Sequence, residues 1–201
     1  MERAATQSGD DVTEPDTHPD TQPDTRPRAV EPDTPPERDR VDAATARLTA
    51  YLSSVGLEWE LGSRPGEYLV TLPGEQKLKT VVSLLVRPRT TSVSAFVIRN
   101  PDENHEAFYR TLLRKNLRLT GIAYAIDTDG DVYVRGEVPT EALDADHLDQ
   151  LFGVVLAASD HAFNELLALG FLGSMKKEWA WRVSRGESTR NLEAFRHLLE
   201  D

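Results

Sequence analysis

Apolar and polar positions change period several times along the chain, and each change marks an element. In "VDAATARLTAYLSSVGL", Ala44, Leu48, Tyr51, Leu52 and Val55 recur at three- and four-residue steps, which predicts a helix stopped by Gly56. The period then shortens. "EWELGS" and "EYLVTLP", separated by "RPG", are short strand candidates. "KTVVSLLVRP" and "TSVSAFVIRN" are stronger ones, with a bend at Pro88 and Arg89. In the second of these, Val93, Ala95 and Val97 face one way, and Ser94, Phe96 and Ile98 the other. Neither side is wholly polar, so partial cover on both is expected.

"NPDENHEAFYRTLLRKNLRL" predicts the next helix. Asn100 is placed to cap it, Pro101 suits the first turn, and Glu103 would complete a capping box. Phe108, Leu112 and Leu119 form its stripe, widened by Tyr109, Leu113 and Leu117. "GIAYAID" and "DVYVRGEV" then predict two strands joined by a turn. A long helix follows over "DADHLDQLFGVVLAASDHAFNELLALG". Asp144, Asp146 and Asp149 crowd its start, where the helix dipole favours acids. "STRNLEAFRHLLED" predicts a short final helix, with Leu192, Phe195, Leu198 and Leu199 apolar, while "LGSMKKEWAWRVSRGES" fits no single element. The order α-β(3–4)-α-β-β-α predicts an α+β fold: an antiparallel sheet of about five to six strands with packed helices.

The first 40 residues follow no such period. They hold seven of the twelve prolines, 11 acidic and 5 basic side chains, and no aromatic residue. Such a segment buries too little to offset the entropy of ordering it. A disordered acidic, proline-rich tail over 1–40 is therefore expected, and a single domain over 41–201. The net charge of the whole chain is −11, which argues against non-specific binding to nucleic acid or anionic membranes. The absence of cysteine excludes disulfides, thiol nucleophiles and cysteine-held metals. No apolar run is long enough for a membrane span, and the opening residues lack the apolar core of a signal peptide, so a cytoplasmic location is expected.

Asp127, Asp129 and Asp131 in "AIDTDGDVYVRGEVP" have the spacing of the first three ligands of a calcium loop. Val132 stands where that loop needs glycine, and Val138 where it needs the closing glutamate. Asp129-Gly130 reads instead as a two-residue hairpin turn of the primed type. The five histidines are scattered. There is no nucleophile elbow, phosphate loop or dinucleotide turn, and "LPGEQK" and "GSMKK" each set one glycine near lysine without a phosphate cradle. No catalytic residue, metal or cofactor is expected. The most unusual polar feature is basic: Arg110, Arg114 and Arg118 repeat every four residues, with Lys115 beside them. Like charges at that spacing repel and need acidic partners, solvent or a ligand. Trp179 and Trp181 in "KKEWAWR" share a face only if extended; they suit an anchor for the end of the fold or an interface.

The order of segments, with "LPGEQKLKTVVSLLVRP", "AFVIRNPDENHEAFYRTLLRKNLRLTGIAYAIDTDGDVYVRGEVP" and "DHAFNELLALGF", resembles the YbjN-domain proteins of actinobacteria over roughly 42–183. The resemblance implies a fold similar to type III secretion chaperones, which commonly dimerise and hold an extended partner chain. It supplies no catalytic motif. The expected function is thus a non-enzymatic adaptor, chaperone-like or regulatory protein with a protein partner and a homodimeric form. The alternative is a small-molecule or nucleotide sensor using the basic helix. The candidate binding residues are Arg110, Arg114, Lys115, Arg118, Trp179 and Trp181.

Overall fold

The computed structural model describes residues 36–200. Most of the expected acidic tail lies outside them. Helix α1 (Glu37–Val55) starts four residues ahead of the expected Val41. Pro36 occupies its cap position, and Glu37 and Asp39 sit in the first turn, where the dipole favours acids. Gly56, at φ 69°, ends it. Ala44, Leu48, Tyr51 and Leu52 are buried as the pattern requires, whereas Val55 is exposed.

Strands β1 (Glu58–Leu61), β2 (Glu67–Pro73), β3 (Lys79–Val86) and β4 (Thr90–Ile98) precede helix α2 (His105–Asn116). Strands β5 (Ile122–Ile126) and β6 (Val132–Pro139) follow it. All six form one antiparallel sheet in the order β1-β2-β3-β4-β6-β5. The α+β class expected from the element order is the one observed. One sheet face carries Tyr68, Val70, Leu72, Val82, Leu84, Val93, Ala95, Val132 and Val134, which share the main core with α1 and with helix α3 (Ala145–Leu156). A bulge between Phe96 and Ile98 shifts the register, so Val97 and Ile98 are both buried instead of alternating.

Three local expectations are corrected. Asn100 does not cap α2, whose N-terminal boundary residue is Asn104 at φ 54°. The Asn100 side chain docks the β5–β6 loop, donating to Asp129 O at 3.0 Å and accepting from the Tyr109 hydroxyl at 3.1 Å. Glu103 likewise serves a tertiary contact, accepting from Gly173 N–H at 2.6 Å. Leu113 and Leu117 are exposed and do not widen the α2 stripe. The β5–β6 connection is longer than a two-residue turn: pairing stops at Ile126–Val132, and Gly130 takes φ 85° at the end of a turn closed by Gly130 N–H to Asp127 O at 3.2 Å. The Asp127 carboxylate accepts from the N–H groups of Asp129 and Asp131 at 3.0 and 2.9 Å, which adds the bonds that make the longer loop stable.

The expected long helix is interrupted. After α3, residues Ala157–His161 form a π-turn, and helix α4 (Phe163–Arg185) continues beyond it through the segment that fitted no element. The π-turn is where the helices are fastened to the sheet. Asp160 is fully buried, and its carboxylate accepts from the N–H groups of Glu75, Gln76 and Lys77 in the β2–β3 loop at 3.0, 3.1 and 2.7 Å. The "LPGEQK" loop therefore does gather its N–H groups into an anion cradle, and the chain's own carboxylate fills it. Ser159 lies 3.2 Å from the Thr80 hydroxyl on β3, and the Tyr124 hydroxyl on β5 donates to Ala158 O at 2.7 Å. Burial lifts the Asp160 carboxyl, but the Lys77, Glu75 and Gln76 N–H groups outweigh it and leave its pKa below the ordinary value.

Replacing Asp160 with asparagine keeps the volume but aims an amide N–H₂ at backbone donors. The expected loss is about 2 kcal/mol or more in urea unfolding, with the β2–β3 loop exchanging its amides faster. Unchanged stability and loop protection in Asp160→Asn would show that the loop holds without the carboxylate.

Candidate functional site

On the sheet face opposite the core, Arg135 is exposed and Ser83, Ser92 and Ser94 are partly exposed, and the cross-strand register sets what the face presents. Ser83 on β3, Ser94 on β4 and Arg135 on β6 lie in one row; Leu85, Ser92 and Glu137 lie in the next. These residues, with Arg64, Arg87 and Gly136, line a cleft of about 430 Å³.

One wall is built by the "RPG" turn between β1 and β2. Glu67 N–H donates to Arg64 O at 3.0 Å, with Pro65 second in the turn and Gly66 third at φ 77°. That conformation strongly favours glycine at the third position. The turn returns Arg64 onto Glu67: Nη2 and Nε donate to the carboxylate at 2.6 and 3.1 Å, and the Ser83 hydroxyl donates at 2.7 Å. The Arg64 guanidinium, then the Ser83 hydroxyl, draw the Glu67 carboxyl down to about 2 from its ordinary 4.5, against the opposing effect of burial. At neutral pH this wall is a closed ion pair with no free charge.

The other cations differ. Arg87 stands in the β3–β4 turn, whose backbone is fixed by Thr140: its hydroxyl donates to Arg87 O at 2.7 Å and its N–H to Arg89 O at 3.0 Å. Arg87 and Arg135 are exposed, and neither forms an ion pair among the described residues. Strand sequence offers little hint of this: Arg87 falls near the end of the strand candidate "KTVVSLLVRP" and Arg135 within "DVYVRGEV", and neither pattern singles its arginine out. Glu67 and Asp160 were also missed, although Ser159 falls one turn after Val155 on the apolar stripe and so marked an unusual polar position.

The residues singled out from sequence do not form one site. Arg110 pairs with Glu106, and Lys115 with Glu165 of α4 at 2.7 Å. Arg118 lies beyond the end of α2. Arg114, Lys115, Arg118, Thr111 and Glu165 do converge on a shallow hollow of about 300 Å³. Trp179 is buried in a second apolar cluster with Met175, Leu192, Phe195 and Leu199, where residues Arg190–Phe195 and the short helix α5 (Arg196–Leu199) pack on α4. Trp181, on a different side of α4, is exposed beneath Arg185 at 5.1 Å. Among the described residues, no group of three or more histidine and acidic side chains is gathered as for a metal ion, and no helix is long and apolar enough to cross a membrane.

The chain is similar to several known proteins. Residues 44–168 match the YbjN family model, described as "Putative bacterial sensory transduction regulator". The uncharacterized protein Rv0487 of Mycobacterium tuberculosis H37Rv is 51% identical over 137 residues, 68% of this chain and 75% of that one. The uncharacterized protein ML2442 of Mycobacterium leprae is 49% identical over 133 residues, 66% and 72% of the two chains. Among solved structures, the HopA1–SchA chaperone–effector complex aligns at a TM-score of 0.48 and 12% identity, covering 65% of this chain and 99% of that one. The ExsC–ExsE complex aligns at 0.48 and 16%, covering 63% and 95%.

Because Glu67 has a folded pKa near 2, its contribution to stability is complete above about pH 4.5 and disappears as pH falls through 2. Urea unfolding of the protein and of Glu67→Gln should differ most at neutral pH, and the gap should close between pH 4.5 and 2. A gap of constant size over that range would contradict the paired-carboxylate account.

Proposed function

The chain belongs to the YbjN family, and from that premise we propose that it is a non-enzymatic, protein-binding regulator that holds its partner on the open face of the sheet. The observation that carries this reading is the cleft over β3, β4 and β6, with its exposed arginines and partly exposed serines on a backbone fixed at both ends. Support for a non-enzymatic role comes from the buried acids. Glu67 is held by Arg64 and Ser83, and Asp160 by three N–H groups, so each already has a structural task. Ser94 lies within the cleft and makes no side-chain bond among the described residues, so enlarging it tests the surface with little cost to the core.

Tagged full-length protein and Ser94→Trp, recovered from native extract, should melt within a few degrees of each other. A protein retained in near-stoichiometric amount by the first should be lost from the second. Equal retention by both, or no retained protein, would refute the sheet face as the docking surface.

A second reading rests on the convergence of Arg114, Lys115 and Arg118 around one hollow. It makes the chain a sensor of small anions. Phosphates, nucleotides or acidic metabolites should then raise the melting temperature of the protein but not of Arg114→Gln/Arg118→Gln. A melting curve unchanged across these ligands would remove this reading.

A further inference from the structure

We infer that the occupant of the open sheet face is an extended segment of another protein carrying acidic side chains, seated between Arg87 and Arg135. This rests on the sheet-face reading and gives the partner its chemistry. Four observations lead to it.

The first is charge. Five ionisable side chains line or underlie the cleft: Arg64, Arg87, Arg135, Glu67 and Glu137. Arg64 and Glu67 neutralise one another. Two exposed guanidiniums remain against the Glu137 carboxylate of the lining, with Asp127 in an adjoining hollow beside Arg135, on a chain whose overall charge is −11. The cleft lining is thus locally cationic in an acidic protein, most of all at its Arg87 end, and it favours acidic approach there.

The second is rigidity. Arg87 rides on a turn whose carbonyl and flanking backbone are held by Thr140, itself bonded to Thr91 at 3.0 Å and almost fully buried. Arg135 projects from β6, which is paired on both sides, to Ser94 and to Ala123. Neither backbone position needs ordering when a ligand arrives, so less entropy is lost on binding.

The third is the donor set. Ser92 and Ser94 stand between the two arginines on β4 and form no side-chain hydrogen bond among the described residues. Guanidinium forks and hydroxyls are donors suited to carboxylate oxygens.

The fourth is extent. The lining runs from Arg64 of the β1–β2 turn over β3 and β4 to β6. At about 4.8 Å per strand spacing, β3 to β6 is roughly 10 Å, the length of about three extended residues and more than one small anion fills. Glu137 at the β6 end disfavours a uniformly acidic ligand and leaves the acids to face Arg87 and Arg135.

Fluorescence anisotropy with the full chain tests this, using a short labelled peptide alternating threonine and glutamate, its counterpart with lysine for glutamate, and inorganic phosphate as competitor. The glutamate peptide should bind in a salt-sensitive way and weaken about tenfold or more in Arg87→Gln/Arg135→Gln. Arg114→Gln/Arg118→Gln, on the separate hollow, should leave it unchanged. Thermal melts establish that both double variants are folded. Equal binding of the two peptides, no effect of Arg87→Gln/Arg135→Gln, no binding of either peptide, or tighter binding of phosphate than of the glutamate peptide would each overturn the acidic segment. Loss of the native partner in Ser94→Trp alongside charge-blind peptide binding would leave the docking surface standing and remove only its acidic preference.

Discussion

A carboxylate with no exposed surface holds this fold at one point. Burying an ionised acid costs several kcal/mol, and the cost is offset only when hydrogen bonds to the charge are complete. Asp160 has three, all from consecutive N–H groups of the β2–β3 loop. Those groups are not paired in the sheet, so loop and helix each supply what the other lacks. The π-turn makes this meeting geometrically feasible. It aims Ser159 and Asp160 at the sheet while α3 and α4 run on at either side.

From that point the connections spread. Lys77, in the same loop, extends its ammonium group to Phe96 O and Val97 O at 2.9 and 3.0 Å, where β4 bulges and its pairing with β3 has ended. Its ammonium lies over two aromatic rings, 5.5 Å from the centres of both Phe96 and Phe163. Burial lowers its pKa, while Asp160 nearby counters that effect. Loop, bulge and helix junction are therefore one electrostatic unit. With α1 and α3 packed on the core face, Arg87 and Arg135 on the opposite side stay exposed and form no ion pair among the described residues.

Much of the architecture was legible in the sequence because periodicity is a local property. The α1 stripe of Ala44, Leu48 and Leu52, the alternation of Val93, Ala95 and Val97, and the Phe108–Leu112 pair are buried as their spacing requires. Capping was less legible. "NPDE" has the composition of a capping box, but Asn100 and Glu103 both serve distant backbone, on the β5–β6 loop and on α4. Side chains with several suitable partners are decided by which one folding brings near. The same holds for Leu113 and Leu117, apolar by composition and exposed because nothing among the described residues packs on them.

The sequence by itself determined the six strands, the first two helices, their order and the α+β class, since each follows from neighbours within a few residues. Only the tertiary structure decided which charges are paired and which stay exposed among the described residues. Glu67 is consumed through a turn and a neighbouring strand, Asp160 through a loop more than eighty residues away in the chain. Arg87 and Arg135, unremarkable in their own segments, come to share a cleft because β6 pairs with β4 rather than with a sequence neighbour alone. Pairing and desolvation act through space, and no local pattern of residues records them.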